Sequence, residues 1–110
     1  MATGVPCGAV ELGQADSGGR RSVRVSEDVL VALPENPTTG YRWYPDVDEA
    51  ALQIVDDRNE VPGPRRGAPG IRCLTFRPVR TGSTRLRLER KRPWEDVAVE
   101  EFVVDLDVSG

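Results

Sequence analysis

The chain contains no histidine, one lysine (Lys91), one methionine and two cysteines. The missing imidazole removes the common serine and cysteine triads and dyads, and with them most catalytic zinc sites. Enzymes can work with Asp, Glu or Lys instead, but here the carboxylates fall in expected turns and strand ends, with no isolated pair in an apolar setting. Catalysis is disfavoured, and no catalytic residue, metal or cofactor is expected. Cys7 and Cys73 stand far apart without a CxxC spacing, which argues against a zinc site or a redox pair. Both are expected as unpaired thiols, Cys73 as a small buried hydrophobe, and they could pair only if the N-terminal segment lies beside the strand of Cys73. No run approaches the roughly 18 apolar residues that a membrane span requires. The first thirty residues lack the basic-then-apolar pattern of a secretory signal. As given, the chain is expected to be cytoplasmic, and secreted or periplasmic if a leader was removed.

What is present fits one domain, residues 1–110, with residues 1–8 frayed: 38% hydrophobic and 30% charged content over 110 residues can bury a modest single core. The net charge of −3 hides three blocks. Residues 1–57 carry four basic and ten acidic groups, residues 58–92 eleven basic and two acidic, and residues 93–110 six acidic and none basic. Interleaved antiparallel strands would bring the blocks together as cross-strand ion pairs. The sharper alternative, a basic face for nucleic acid, is weakened by an acidic pI near 5.0 and by few aromatics among the arginines. No nucleic-acid partner is expected.

Period-two alternation, bounded by Gly, Pro and Asp, sets the secondary structure. Strands are expected at Ala9–Leu12, Ser22–Val25, Asp28–Leu33 (ending at Pro34), Tyr41–Tyr44, Leu52–Val55, Ile71–Phe76 and Thr84–Glu89, with a final run from Val97 to Val108. In that run the apolar parity changes from odd (Val97, Val99) to even (Phe102, Val104, Leu106, Val108), which predicts a bulge or a change of sheet near Glu100. No sustained 3.6-residue stripe appears, so the fold is all-β with about seven main strands. Trp43 is assigned to the core, placed as the inter-sheet tryptophan of immunoglobulin-like sandwiches is.

The stretch Asn36-Pro37-Thr38-Thr39-Gly40-Tyr41 joins two of these strands. Pro37 presets φ, Gly40 permits the positive φ that returns the chain, and two stiff, β-branched threonines are left at the apex. Taken alone, such a turn is what any hairpin needs. Strands that reverse one after another put every second connection at the same end, however, so the links 35–41, 58–70 and 90–96 cluster. These are the three links richest in unusual residues, and a rigid sandwich that gathers them at one end has the form of a binding face.

Three pieces carry a family resemblance: Asn36 to Tyr41, Gly67-Ala68-Pro69-Gly70 ahead of the strand ending in Phe76, and Arg92-Pro93-Trp94. In order and spacing they resemble the chagasin-type inhibitors of cysteine peptidases (family I42) over about Asp28 to Val108. The resemblance implies an immunoglobulin-like β-sandwich of about seven antiparallel strands, monomeric when free. It also implies a papain-like cysteine peptidase as partner, blocked reversibly and without chemistry by the three loops. Carried over by position, Thr38 and Thr39 enter the cleft beside the catalytic Cys–His pair. Gly67, Ala68, Pro69 and Gly70 lie along the non-primed side, and Arg92, Pro93 and Trp94 pack on the primed side. Asn36, Pro37, Gly40 and Tyr41 shape and support the first loop. Pro69 removes an N–H where many relatives have glycine, and Arg65-Arg66 beside it favour clefts with acidic rims. The competing reading is an Ig-like interaction or adhesion module with a non-peptidase partner, because fold alone does not fix function.

Overall fold

The structure, a computed structural model, describes residues 10–35, 40–60 and 70–110. Cys7 and the loop residues Asn36, Pro37, Thr38, Thr39, Gly67, Ala68 and Pro69 lie outside them. Eight strands form: β1 (Val10–Leu12), β2 (Arg20–Arg24), β3 (Val29–Glu35), β4 (Arg42–Asp46), β5 (Leu52–Glu60), β6 (Gly70–Pro78), β7 (Gly82–Lys91) and β8 (Glu100–Ser109). They make two four-stranded sheets, ordered β1-β3-β6-β5 and β2-β8-β7-β4. The inner faces enclose one apolar cluster, with Val29, Val31, Leu33, Leu74 and Phe76 from the first sheet and Trp43, Leu86, Leu88, Phe102, Val104 and Leu106 from the second. Each set repeats every second residue, so the alternation in the sequence is what closes the sandwich.

Strand direction alternates along the whole chain, and the chain repeatedly crosses between sheets. β1 and β3 therefore run the same way as neighbours, as do β2 and β8, and these two pairings are parallel. All the other pairings are antiparallel.

Several boundaries differ from the sequence reading. β3 continues through Pro34, whose Cα partner is Ile71. β1 pairs only as far as Val31, so the edge of β3 at Pro34 has no neighbour on that side and the missing N–H breaks no ladder bond. Arg58, Asn59 and Glu60 belong to β5 rather than to the loop, because the Pro/Gly-rich stretch begins only at Pro62. The parity change near Glu100 is neither a bulge nor a sheet change. β8 starts at Glu100, its register with β7 is unbroken, and Val97 and Val99 are exposed in the preceding link. The irregularity sits instead in edge strand β5, between Ile54 and Asp56, where a bulge blunts an exposed edge.

The charge blocks meet as ion pairs: across strands, Arg85 faces Asp105 (2.9 Å) and Arg72 faces Asp57 (2.6 Å), while Arg77 meets Asp28 just before β3 (2.8 Å) and Arg80 meets Asp48 between two links (3.2 Å). The exposed pairs among them are screened by solvent, so they set register and solubility more than stability. Among the described residues of the basic block, Arg58, Arg72, Arg77, Arg80, Arg85, Arg87 and Arg90 are each paired with a carboxylate.

One of these pairs gives a pH prediction. The Asp28 carboxylate accepts Nε and an NH2 of Arg77 at 2.8 and 3.1 Å, and this hydrogen bond holds its pKa below the ordinary 3.8. A carboxyl depressed in the folded state stabilises it above the ordinary value, and that contribution is lost as pH falls through the folded value. Urea midpoints measured from neutrality down to pH 3 should therefore fall on acidification. Asp28→Asn should remove part of the slope while lowering the midpoint at neutral pH. An unchanged slope in that variant would assign the acid sensitivity to other carboxylates.

Candidate functional site at one end of the sandwich

The registers place four links at one end, here called the tip. Glu35 at the end of β3 lies opposite Gly70 at the start of β6, and Glu60 at the end of β5 lies opposite Ile71. In the second sheet Arg42 lies opposite Lys91, and Arg90 opposite Glu100. The β3–β4 link crosses between the sheets, flanked by the β5–β6 hairpin of one sheet and the β7–β8 hairpin of the other. Clustering of three links was legible in the sequence. The fourth link, β1–β2 at residues 13–19, was missed. It contains a 3-10 turn (Gln14–Asp16) and runs beside β8, with Gly18 N–H donating to the Val103 carbonyl (2.6 Å) and Gln14 Nε2 donating to Glu100.

Six of the expected site residues are described, and they converge. Gly40 has φ of +82°, the left-handed conformation expected of it, so a side chain there would strain the turn. Next to it, Tyr41 is half-buried, and its ring lies 4.4 Å from the Arg92 guanidinium and 5.8 Å from that of Arg90. Arg92 also lies 5.8 Å from the Trp94 ring, so one cation lies close to the aromatic rings of two different links. Tyr41 leads from the first link into β4, and its contact with Arg92 ties that end to the third link.

The Arg92–Trp94 segment is closed on itself. Glu95 N–H donates to the Arg92 carbonyl (3.0 Å), Arg92 N–H donates to the Glu95 carboxylate (3.1 Å), and Val99 N–H donates to the Arg90 carbonyl (2.8 Å). Pro93 occupies the second position of this turn, where its fixed φ fits. The result is a stiff arch holding Trp94 outward at 72% exposure, with Val97 and Val99 also exposed on the same link.

Beneath the links the inner faces turn from apolar to polar. On β3 the inward series Val29, Val31, Leu33 ends in Glu35, which is 1% exposed. Its carboxylate accepts Trp43 N–H (2.9 Å), Asn59 Nδ2 (2.6 Å) and an Arg72 NH (2.8 Å), with Arg42 Nε at 3.8 Å. Arg72 also donates two bonds to Asp57, at 2.6 and 3.0 Å. The Asp57 bonds first, then Glu35, raise the Arg72 pKa and keep its charge fixed. In the second sheet Arg90 pairs with Glu100 at 3.1 Å in the corresponding last row. Neither Glu35 nor Arg72 was singled out from the sequence. The signal was there: carrying the period of two one step past Leu33 puts a carboxylate inward, and the same parity on β6 puts Arg72 inward.

Among the described residues no group of three His, Cys, Asp or Glu side chains could hold a metal. Two surface hollows, one beside Glu49, Gln53 and Ile54 and one beside Arg20, Ser83 and Arg85, are both away from the tip. The described part of the tip projects a closed turn with an exposed indole braced beside Tyr41, a form suited to entering another molecule's cleft.

Comparison with known proteins agrees. Among curated proteins, Amoebiasin-2 of Entamoeba histolytica is 33% identical over 70 residues, a match spanning 61% of this chain and 57% of that protein. The chain thus matches somewhat over half the length of that relative. Among solved structures, the cysteine protease inhibitor EhICP2 from Entamoeba histolytica superposes with a TM-score of 0.84 at 22% identity, covering 91% of this chain and 95% of that one. PbICP-C, solved in complex with falcipain-2, superposes with a TM-score of 0.64 at 15% identity, covering 92% of this chain and 98% of its own. These two show the shared fold. The sequence model of the chagasin family of peptidase inhibitors, I42, matches residues 22–108, from within β2 to the penultimate residue of β8, and the chain belongs to that family.

Proposed function

We propose that this protein is a reversible, tight-binding inhibitor of papain-family cysteine peptidases that fills the active-site cleft with the links at its tip. The observation that carries this reading is the preformed arch at Arg92-Pro93-Trp94, joined through Arg92 to Tyr41, with Trp94 fully presented. A large, stiff aromatic on a closed turn is a typical anchor for a neighbouring pocket. Because the turn is already ordered, binding avoids much of the ordering cost, about 0.5–1.5 kcal/mol per immobilised side chain. Membership of a peptidase-inhibitor family supports the partner class, as does the likeness to a cysteine protease inhibitor and to PbICP-C, solved in complex with falcipain-2.

In this mechanism the crossing link between β3 and β4 enters the cleft centrally, with Thr38 and Thr39 at its apex beside the catalytic Cys–His pair. Gly67 to Gly70 lie along the non-primed side, where glycines allow close approach of backbone to backbone. Arg92, Pro93 and Trp94 cover the primed side. Inhibition is steric: the links occupy the substrate's place and present no bond for hydrolysis in the productive register.

Titration of papain with the purified protein tests the reading. Stoichiometric loss of activity, recovered on dilution, is the expected result. Absence of inhibition of papain and cathepsin L at micromolar protein would overturn it.

A further inference from the structure

We infer that Glu35 is a positioning residue for inhibition: its buried carboxylate fixes the ends of two tip links relative to each other. This rests on the inhibitor reading above and assigns the device that holds the tip in shape.

The geometry is that of a hub. Glu35 is the last residue of β3, directly before the first link, and Trp43 lies just after that link, in β4. The bond from Trp43 N–H to the Glu35 carboxylate (2.9 Å) therefore closes the mouth of the link across the two sheets. Asn59 and Arg72 lie on β5 and β6, the strands that lead into and out of the second link, and both donate to the same carboxylate, at 2.6 and 2.8 Å. Arg72 is in turn clamped by Asp57. One side chain thus sets the separation and angle of two links that must enter one cleft together.

The chemistry requires a carboxylate. Among the described residues every group facing Glu35, namely Trp43 N–H, Asn59 Nδ2, the Arg72 guanidinium and Arg42 Nε, is a donor. A carboxamide would set a donor against a donor whichever way it turned, and would give up at least one of the bonds. A scaffold built for stability alone would complete the inward series with another leucine, since a buried ion pair rarely stabilises more than well-packed apolar groups. A charged hub is better explained by geometry at the tip. With the hub broken, fewer molecules hold the competent arrangement at any moment, and apparent affinity falls by that fraction.

The test compares Glu35→Gln, the milder Asn59→Ala and a control, Val108→Ala, which opens the core at the opposite end. Inhibition of papain is followed kinetically, and amide exchange is measured at Trp43 and at the core residues Leu88 and Phe102. Glu35→Gln should weaken inhibition about tenfold or more, chiefly through slower association, and Asn59→Ala about threefold. In both, Trp43 should exchange faster while Leu88 and Phe102 stay protected. Val108→Ala should lose global stability and inhibit as the wild type does. The proposal is overturned if both tip variants inhibit like the wild type, or if Val108→Ala loses as much inhibition as Glu35→Gln. Should Glu35→Gln fail to fold, Asn59→Ala decides alone. If the wild type does not inhibit papain, the inhibitor reading fails, whereas unchanged Trp43 exchange in both tip variants refutes the hub itself.

Discussion

Trp94→Ala should weaken inhibition of papain by about 2 kcal/mol, roughly thirtyfold, and leave the urea unfolding transition where it is in the wild type. The expectation rests on a separation of roles within one link. The turn that carries Trp94 is closed by backbone bonds at Arg92, Glu95 and Val99 and by the fixed φ of Pro93, none of which needs the indole. The ring itself is 72% exposed and touches the rest of the protein through the Arg92 guanidinium, 5.8 Å from its centre. Removing it takes away little that is buried in the free protein and much that would be buried in the complex. An inhibition constant from steady-state titration and a urea midpoint from tryptophan-independent circular dichroism measure the two quantities separately. A loss of less than about threefold would mean that Trp94 is a rim contact rather than an anchor. A shifted midpoint would place the ring in the fold.

Much of this end of the molecule was legible beforehand, for a physical reason. Period-two patterns fix which residues face inward, and strict reversal of successive strands fixes which links share an end, so Val29 to Leu33, Trp43 and the clustering of three links followed from the sequence alone. The left-handed Gly40 followed from turn chemistry. What escaped depends on pairing between distant residues. The parallel neighbours β1–β3 and β2–β8 arise from chain crossings between sheets that local patterns do not encode. The start of β8 at Glu100 depends on Val99 closing onto Arg90, which turns an apparent strand with a fault into a link with two exposed valines. Glu35 was overlooked because an acidic residue reads as the end of an apolar strand, although the period of two continues to it; what the local pattern does not show is its partners Asn59 and Arg72, far along the chain.

The tip also explains why the polar rows and the apolar core sit where they do. Arg90 and Glu100 in one sheet, and Glu35 and Arg72 in the other, take inward positions near the tip where the core pattern would place hydrophobic side chains, and Asn59 bonds Glu35 from the edge strand. Directional bonds there fix angles that dispersion contacts would leave free to slide. The core beneath supplies stability, and the polar rows convert it into fixed geometry for the links.

Trp43 marks the boundary between these two layers, and Trp43→Ala should be the most destabilising single change considered, costing about 3–5 kcal/mol of folding free energy. The indole is 1% exposed and packs in the core between the two sheets, and its Nε1 donates to the Pro34 carbonyl at 2.8 Å. Truncation leaves a cavity under the first link and an acceptor at Pro34 without its donor. Against a typical stability of about 5–15 kcal/mol, such a loss leaves the fold marginal. Trp43→Phe separates the contributions: it keeps most of the packing and removes the hydrogen bond, for a cost of about 1 kcal/mol. Urea midpoints of the three proteins give both values. Inhibition by Trp43→Ala should fall in step with its folded fraction, the reverse of Trp94→Ala, where the fold survives and binding does not. A Trp43→Ala protein that unfolds at the wild-type urea concentration would show that the sheets close without it, and that the tip stands on the polar rows alone.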